Sequence, residues 1–523
     1  MGLAEHFDSL TKNEKLYAHH AARAAWYGTP IIFEQVSEEA AGIFRFIMSA
    51  FHLCAGDWKY FAALRWINED DLDHFLNYSA TFLSNMGNFY GSGDSKFIPA
   101  VPSTSLEAFA ARSEQLRSSL APIVDAMYAV PPYSLGFPGN PTTSAYYPGA
   151  EQISQEEIAM VSQELQKHSI YLENTRIRKV RADNDFTFEV LQASVDPGLV
   201  VEFTVTGRDY RIKLLRGDHS QALRKVCGSW EEAIPHAASD WQREYIKEYV
   251  QSFRTGDLNI YREALKKWVR HLSPTVEDIF GFGLVAIKDV QATELVTRLV
   301  DMSDTFITSL GPFEKSLFDP PDFTCIHTLS YCSSILFGGI NLPNYNDLRQ
   351  EYGFKNVIIS NRMSAESSDS LLCPFVDEDE LARYQRHRYA AYYTWVVLHE
   401  LLGHGTSQLL AETAPGVYNF DINHPPISPL TNSAVMSWFK YGETWTSCFE
   451  DLSTTVDECR AELVGAYLMD DKELLALFGY TDDTSITADD VTYNLYMQQG
   501  TGTDGLRALA DYNIDSGRWG QDH

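Results

Sequence analysis

The segment WVVLHELLGHGTSQLL, residues 395–410, sets two histidines and a glutamate into an otherwise apolar helical run. Such polar groups are costly to bury unless they bind something. His399 and His404 are five positions apart. A regular α-helix turns about 100° per residue, so their rings would point about 140° apart and could not converge. Histidines four apart, as in H-E-x-x-H, converge without distortion. For His399 and His404 to share one ligand, the helix over 391–409 has to absorb an extra residue, most simply as a π-type bulge. Gly403, next to the second histidine, stands where backbone freedom is most useful.

Two imidazoles supply part of a catalytic zinc site, which needs a third protein donor and keeps one position open for water. The stretch VDECRAELVGAYL, residues 456–468, offers Asp457, Glu458 and Glu462. It reads as an amphipathic helix with Leu463, Ala466 and Tyr467 on its apolar side. Glu458 and Glu462 are four apart and share a face, so one can ligate while the other orients a ligating histidine from behind. Glu458 follows His404 by 54 residues across a loop, which suits an antiparallel or crossing helix pair. His327, His387 and His424 stand isolated in the sequence and read as surface or satisfied core histidines.

Charge narrows the partners. Among 523 residues, 41 Lys and Arg face 71 Asp and Glu, a net charge of −30. The chain lacks the basic footprint of a nucleic-acid or anionic-membrane binder. It suits cationic partners, such as a peptide with a free amino terminus. Apolar residues at 45% and aromatics at 13% are enough for a sizeable core. The longest near-apolar stretch, Ala390 to Leu398, is too short to span a bilayer. The opening MGLAEHFDSLTKNEKLY has no apolar signal region, and His6 stands where a myristoylation signal after Gly2 wants Ser or Thr. Seven cysteines, none in a C-x-x-C pair, fit a reducing compartment. We therefore expect a cytoplasmic protein that binds neither membrane nor nucleic acid.

Along the chain, residues 1–130 carry helical periodicity, and 131–149 form a Pro/Gly/Ser/Thr-rich loop. Helix returns over 151–172. Three strand-like runs at 185–194, 198–207 and 209–217 predict a small antiparallel sheet or barrel. The pattern over 219–320 is helical again, and 338–360 reads as loop chemistry ending in a short strand. From 376 to the end nearly all is helix, apart from the loop APGVYNFDINHPPISPLTN. The class is α+β.

HELLGH, followed some fifty residues later by DECRAE, resembles the dipeptidyl peptidase III family of zinc peptidases. GINLPNYNDLRQEYGFKNV (339–357), YGETW (441–445), LSPTVEDIFGF (272–282) and RWGQDH (518–523) are also similar to family segments, in family order. The likeness runs from near residue 8 to the end. It implies an exopeptidase that uses one Zn2+ and releases dipeptides from the amino terminus of short peptides. By position, it implies that His399, His404 and Glu458 bind zinc and that Glu400 activates the attacking water and passes its proton to the leaving amine. Asp457 and Glu462 would orient the ligating histidines. Asn341 and Asn344 would hold the peptide backbone, Glu277 the substrate's amino terminus, and His523 would stabilise the tetrahedral intermediate. The implied fold is α+β with two lobes around a wide cleft: a mostly helical, zinc-bearing upper lobe and a mixed lower lobe with a small β-barrel. Residues 1–282 and 326–366 would form the lower lobe, and 283–325 and 367–523 the upper. A monomer is expected.

The chain departs from the family pattern in places. Asp457 stands where the family usually has Glu, Ile279 where many members have Tyr, and Thr446 where many have Asp. An acidic stretch is missing after Phe282, and the family continues well past the segment that ends here at His523. On that ground the upper lobe is expected to be incomplete. The alternative reading is a catalytically weak or inactive zinc- and peptide-binding protein.

Overall fold

The computed structural model describes residues 3–139, 141–168, 170–182, 185–204, 210–270, 275–279, 283–303, 305–306, 322–343, 345, 348, 352–365, 373, 376–404, 410–428, 431–443, 445–449, 452–501, 512–513 and 518–519. Helix α1 (Lys12–Val36) begins at Thr11, where Thr11 and Glu14 cap each other reciprocally. Its buried Ala18, Ala21 and Ala24 join one core with α2 (Ser220–Ala233), α3 (Asp240–Thr255) and α4 (Leu258–Arg270). The helices between residues 40 and 128 enclose a separate aromatic core that includes Phe46, Phe61, Phe75, Phe82 and Phe109. Phe61 and Phe109 meet edge to face at 4.9 Å.

Strands β1 (Thr175–Ala182), β2 (Asp185–Ala193), β3 (Gly198–Thr204) and β4 (Arg211–Asp218) form a sheet in the order β1-β2-β4-β3. Strands β2 and β4 are parallel and the other neighbours antiparallel. Among the described residues this sheet is open, which corrects the expected barrel. The helix Gln155–Lys167 lays Ile158, Val161 and Leu165 against Phe188, Val190 and Ile212, so the apolar face is covered without closure. Edge strand β1 holds its charged side chains in ion pairs, Arg176 with Asp218 at 2.6 Å and Lys179 with Glu157 at 2.8 Å, a device that discourages further pairing.

A second sheet corrects the helical reading of 219–320. Strands β5 (Val276–Ile279), β6 (Leu284–Lys288), β7 (Asp322–Tyr331), β8 (Gly339–Leu342) and β9 (Lys355–Ile359) assemble in the order β8-β9-β7-β6-β5. Only β9 and β7 run parallel. Every residue of β9 is buried. Its side chains alternate between two cores, as successive strand residues must. Val357 and Ile359 join the core of α1–α4. Ile358 joins a core with α5 (Val290–Asp301) and α6 (Glu378–Leu398). The sheet is therefore covered on both faces, and its β8–β9 edge lies beside the end of α6. The loop after α6 contains two short antiparallel ladders, Glu412–Ala414 with Val417–Tyr418 and Ile427–Ser428 with Ser433–Ala434. No described helix is long and apolar enough to cross a membrane.

Candidate metal and active site

Helix α6 is regular to Leu398, and the next turn, His399–Gly403, widens to π geometry. The His404 N–H donates to the His399 carbonyl, five residues back. The extra residue is absorbed there, and the two imidazoles meet edge to face with centroids 4.9 Å apart. Gly403 has a packing reason beyond backbone freedom. A Cβ there would stand 2.6 Å from the Ala461 carbonyl oxygen and 2.7 Å from Ala461 Cα, because α7 (Ser453–Leu468) passes that close. A Cβ on Gly465 of α7 would stand 3.4 Å from His399 Cα. Helix α7 thus buries Ala461, Gly465 and Leu468. Leu463 and Tyr467, expected on its packed side, are 71% and 61% exposed. The correction has a steric cause: small residues let the two backbones approach, and that approach brings the carboxylates within reach of the histidines.

Glu458 lies between the two rings. Its Oε2 is 3.4 Å from His399 Nε2 and its Oε1 3.9 Å from His404 Nε2. One donor atom from each of the three residues falls within 4.8 Å of the others. The remaining ring nitrogens face separate acids. His399 Nδ1 lies 3.1 Å from Glu462 Oε2, and His404 Nδ1 lies 3.6 Å from Asp457 Oδ2, the latter an ion-pair separation rather than a hydrogen bond. Arg460 holds Asp457 Oδ1 through Nη2 at 2.6 Å and donates through Nη1 to the Gly403 carbonyl at 2.8 Å. The sequence reading misses this arginine. Its signal is the three-residue spacing from Asp457 on one helix face.

The charges are strongly coupled. Burial disfavours the His399 imidazolium, but hydrogen bonds to Glu458 and Glu462 overcome it and push the pKa up to about 10. The hydrogen bond to His399 lowers the Glu458 carboxyl despite partial burial. Burial would raise Asp457, yet His404 and Arg460 together hold it well below the usual carboxylate range. Two imidazole nitrogens and one carboxylate oxygen, backed by further acids, are the donor set of a zinc-class divalent ion. The residues present fit such a metal.

Glu400 sits on the π turn, outside that donor group. It is buried, and a Cβ on Gly339 of β8 would stand 2.7 Å from its Oε1. Strand β8 therefore reaches Glu400 with no side chain between. Asn356 of β9, fully buried, donates from Nδ2 to the Glu400 carbonyl at 2.8 Å and accepts at Oδ1 from Asn341 Nδ2. Asn341 lies two residues beyond Gly339, on the same strand face. Its Oδ1 is a buried acceptor with no hydrogen-bond partner among the described residues. The structure thus brings Asn341 to the turn that carries Glu400. Asn356 is a further residue missed in the sequence, although it stands inside the quoted segment GFKNV.

Glu277 is not brought to this group. It is 1% exposed on β5, and its Oε1 accepts from Lys355 Nζ at 3.0 Å. Lys355 and Asn356 are adjacent on β9 and so point to opposite faces of the sheet. Lys355 also covers Trp268 at 4.6 Å, on the α1–α4 side, while Asn356 faces Glu400. A lysine ammonium thus occupies one oxygen of Glu277, the acid expected to hold a substrate ammonium. Asn344 and His523 lie outside the described residues.

The profile of peptidase family M49 matches residues 120–523. Dipeptidyl peptidase 3 of Dictyostelium discoideum is 32% identical over 549 residues, covering 99% of this chain and 77% of that protein. Dipeptidyl peptidase 3 of Homo sapiens is 32% identical over 557 residues, covering 99% and 74%. The solved structure of DPP III from Caldithrix abyssi superposes with a TM-score of 0.55 at 13% identity, over 97% of this chain and 81% of that one. That of dipeptidyl-peptidase III from Corallococcus sp. strain EGB gives 0.51 at 16% identity, over 98% and 80%. Those two likenesses are of fold. With a family match over residues 120–523 and relatives aligned along almost its whole length, the chain belongs to peptidase family M49.

Proposed function

We propose that the chain is a zinc-dependent exopeptidase releasing dipeptides from the amino end of short peptides. The π turn carries this reading: it converges His399 and His404 on Glu458 while leaving Glu400 buried against Gly339, outside the donor group. His399, His404 and Glu458 would hold one zinc ion. Bound there, zinc supplies Lewis acidity, polarising a scissile carbonyl and making water easier to deprotonate. Glu400 takes the proton of the attacking water on a carboxylate oxygen and returns it to the departing amine nitrogen. Glu462 takes the Nδ1 side of His399, which fixes its tautomer, and Asp457 faces the Nδ1 side of His404; each turns Nε2 toward Glu458. Asn341 Oδ1 accepts a peptide N–H and orients the backbone.

The name of the relatives, dipeptidyl peptidase 3, supports dipeptide release in particular, and the net charge of −30 favours an ammonium-bearing substrate. If Glu277 serves that ammonium, the substrate has to displace Lys355. We place the protein in the cytoplasm as a monomer, with lobes of 1–282 plus 326–366 and 283–325 plus 367–523 facing a cleft. The reading as an inactive binding protein is not favoured, since Glu400 stands beside the metal-capable group. The test is a chromogenic amide of a dipeptide. Release should require a free amino end, stop with chelator and return with zinc. Equal release from the amino-acetylated substrate would refute the exopeptidase reading.

A further inference from the structure

A second cluster of metal-ligating side chains lies away from the π turn. It joins three distant parts of the chain: His6 on the short helix Leu3–Ser9, Asp289 at the start of α5, and His327 on β7. His327, read in the sequence as a surface or satisfied core histidine, is buried here among residues far apart in the chain. Its Nε2 lies 2.9 Å from Asp289 Oδ2, and its ring stacks on His6 with centroids 4.3 Å apart. One donor atom from each residue falls within 4.8 Å of the others. The other two histidines read as isolated have simple acidic neighbours, His387 with Asp490 at 3.7 Å and His424 with Asp421 at 2.9 Å.

Two nitrogens of this cluster are unexplained by hydrogen bonding. His6 Nε2 and His327 Nδ1 are buried without a hydrogen-bond partner among the described residues. Leaving buried ring nitrogens unsatisfied is costly. Asp289 is held in place by its own local role: Oδ1 accepts from the Ala292 N–H at 3.0 Å and caps α5, leaving Oδ2 turned to the rings. Two imidazoles and a carboxylate on a fixed cap form a donor set for Zn2+, Co2+ or Ni2+, with water completing the shell at these half-buried residues. We propose that His6, Asp289 and His327 bind a second divalent transition-metal ion, which pins the Leu3–Ser9 helix to the central sheet. Because no such site preforms in an unfolded chain, binding there also stabilises the fold.

The test uses the full chain carrying His404→Ala and Glu458→Ala together, which removes two donors at the π turn. This protein is stripped with chelator and titrated with Co2+, read by its visible absorption and by metal content after gel filtration. It should retain one equivalent, and adding His6→Gln should abolish that retention, with Co2+ raising the melting temperature before the His6 change and not after it. Gln keeps the size of the side chain on a short surface helix, and circular dichroism checks that the fold persists. His327→Gln should give the same loss. No retained cobalt in the starting double variant would overturn the proposal. So would equal retention after His6→Gln, which would place the ion elsewhere. The background already lacks the π-turn site, so the outcome is independent of the peptidase reading.

Discussion

Arg460 donates through Nη1 to the carbonyl oxygen of Gly403, the last residue of the π turn, at 2.8 Å. The same guanidinium holds Asp457, the acid that faces His404. One side chain thus fixes both the distorted turn and the acid behind the His404 ring. Arg460→Ala leaves all three donors in place. It should weaken zinc binding by about 10- to 100-fold, the usual cost of losing a group that orients a ligand. Competition against a zinc-chelating dye measures this, and unchanged affinity would show the clamp to be idle.

Gly403→Ala tests the packing of α7 on the turn. The added carbon meets backbone atoms of Ala461 at 2.6 and 2.7 Å, and backbone cannot swing aside as a flexible side chain can. Overpacking of this kind should cost about 1–3 kcal/mol and push Glu458 away from the histidines. Denaturant unfolding together with zinc titration should show both losses. Wild-type values for both would mean that α7 can shift without disturbing the donors.

Asp278 gives the fold a pH dependence. Burial pushes its carboxyl up to about 6 from an ordinary 3.8, against hydrogen bonds from Tyr17 and Tyr245, with Glu277 raising it and Lys355 lowering it. The folded-state pKa is the higher one, so this group's stabilisation is complete below its unfolded value and is lost as pH rises through about 6. Asp278→Asn keeps an oxygen for the tyrosines and cannot ionise. Wild type should therefore lose roughly 2–3 kcal/mol relative to this variant between pH 4 and pH 7.5. Chemical denaturation at both pH values tests the point, and a difference independent of pH would contradict it.

The helix distortion is legible in the sequence, because the five-residue spacing of His399 and His404 leaves few ways for two rings to converge. The partner helix was legible too, but its packed face was not. A large apolar residue normally marks the buried side, whereas α7 buries Ala461 and Gly465 to bring backbones together. Of the central sheet, KNVII is legible as the short strand that ends 338–360, but LVAIK is hidden because it is a short run buried on both faces, where period-2 alternation vanishes. Strand β1 was hidden by its charges: TRIRKVRA looks like surface until Asp218, Glu189 and Glu157 stand opposite its basic side chains. That Lys355 faces Glu277 while its neighbour Asn356 faces Glu400 is visible only once the central sheet is assembled. The pairing of His6 with His327 depends on long-range topology that no local pattern carries.

The most direct measurement compares Glu400→Ala with His404→Ala and Glu458→Ala for zinc content and for dipeptide release from a chromogenic amide. Glu400 is adjacent to a proposed ligand yet lies outside the donor group. Its removal should leave zinc bound at the wild-type level and cut turnover by at least about 10²–10⁴-fold. His404→Ala and Glu458→Ala should lose zinc from the π-turn site together with turnover. Equal zinc loss in all three variants, or hydrolysis that survives Glu400→Ala, would contradict the division of roles between the ligands and the base.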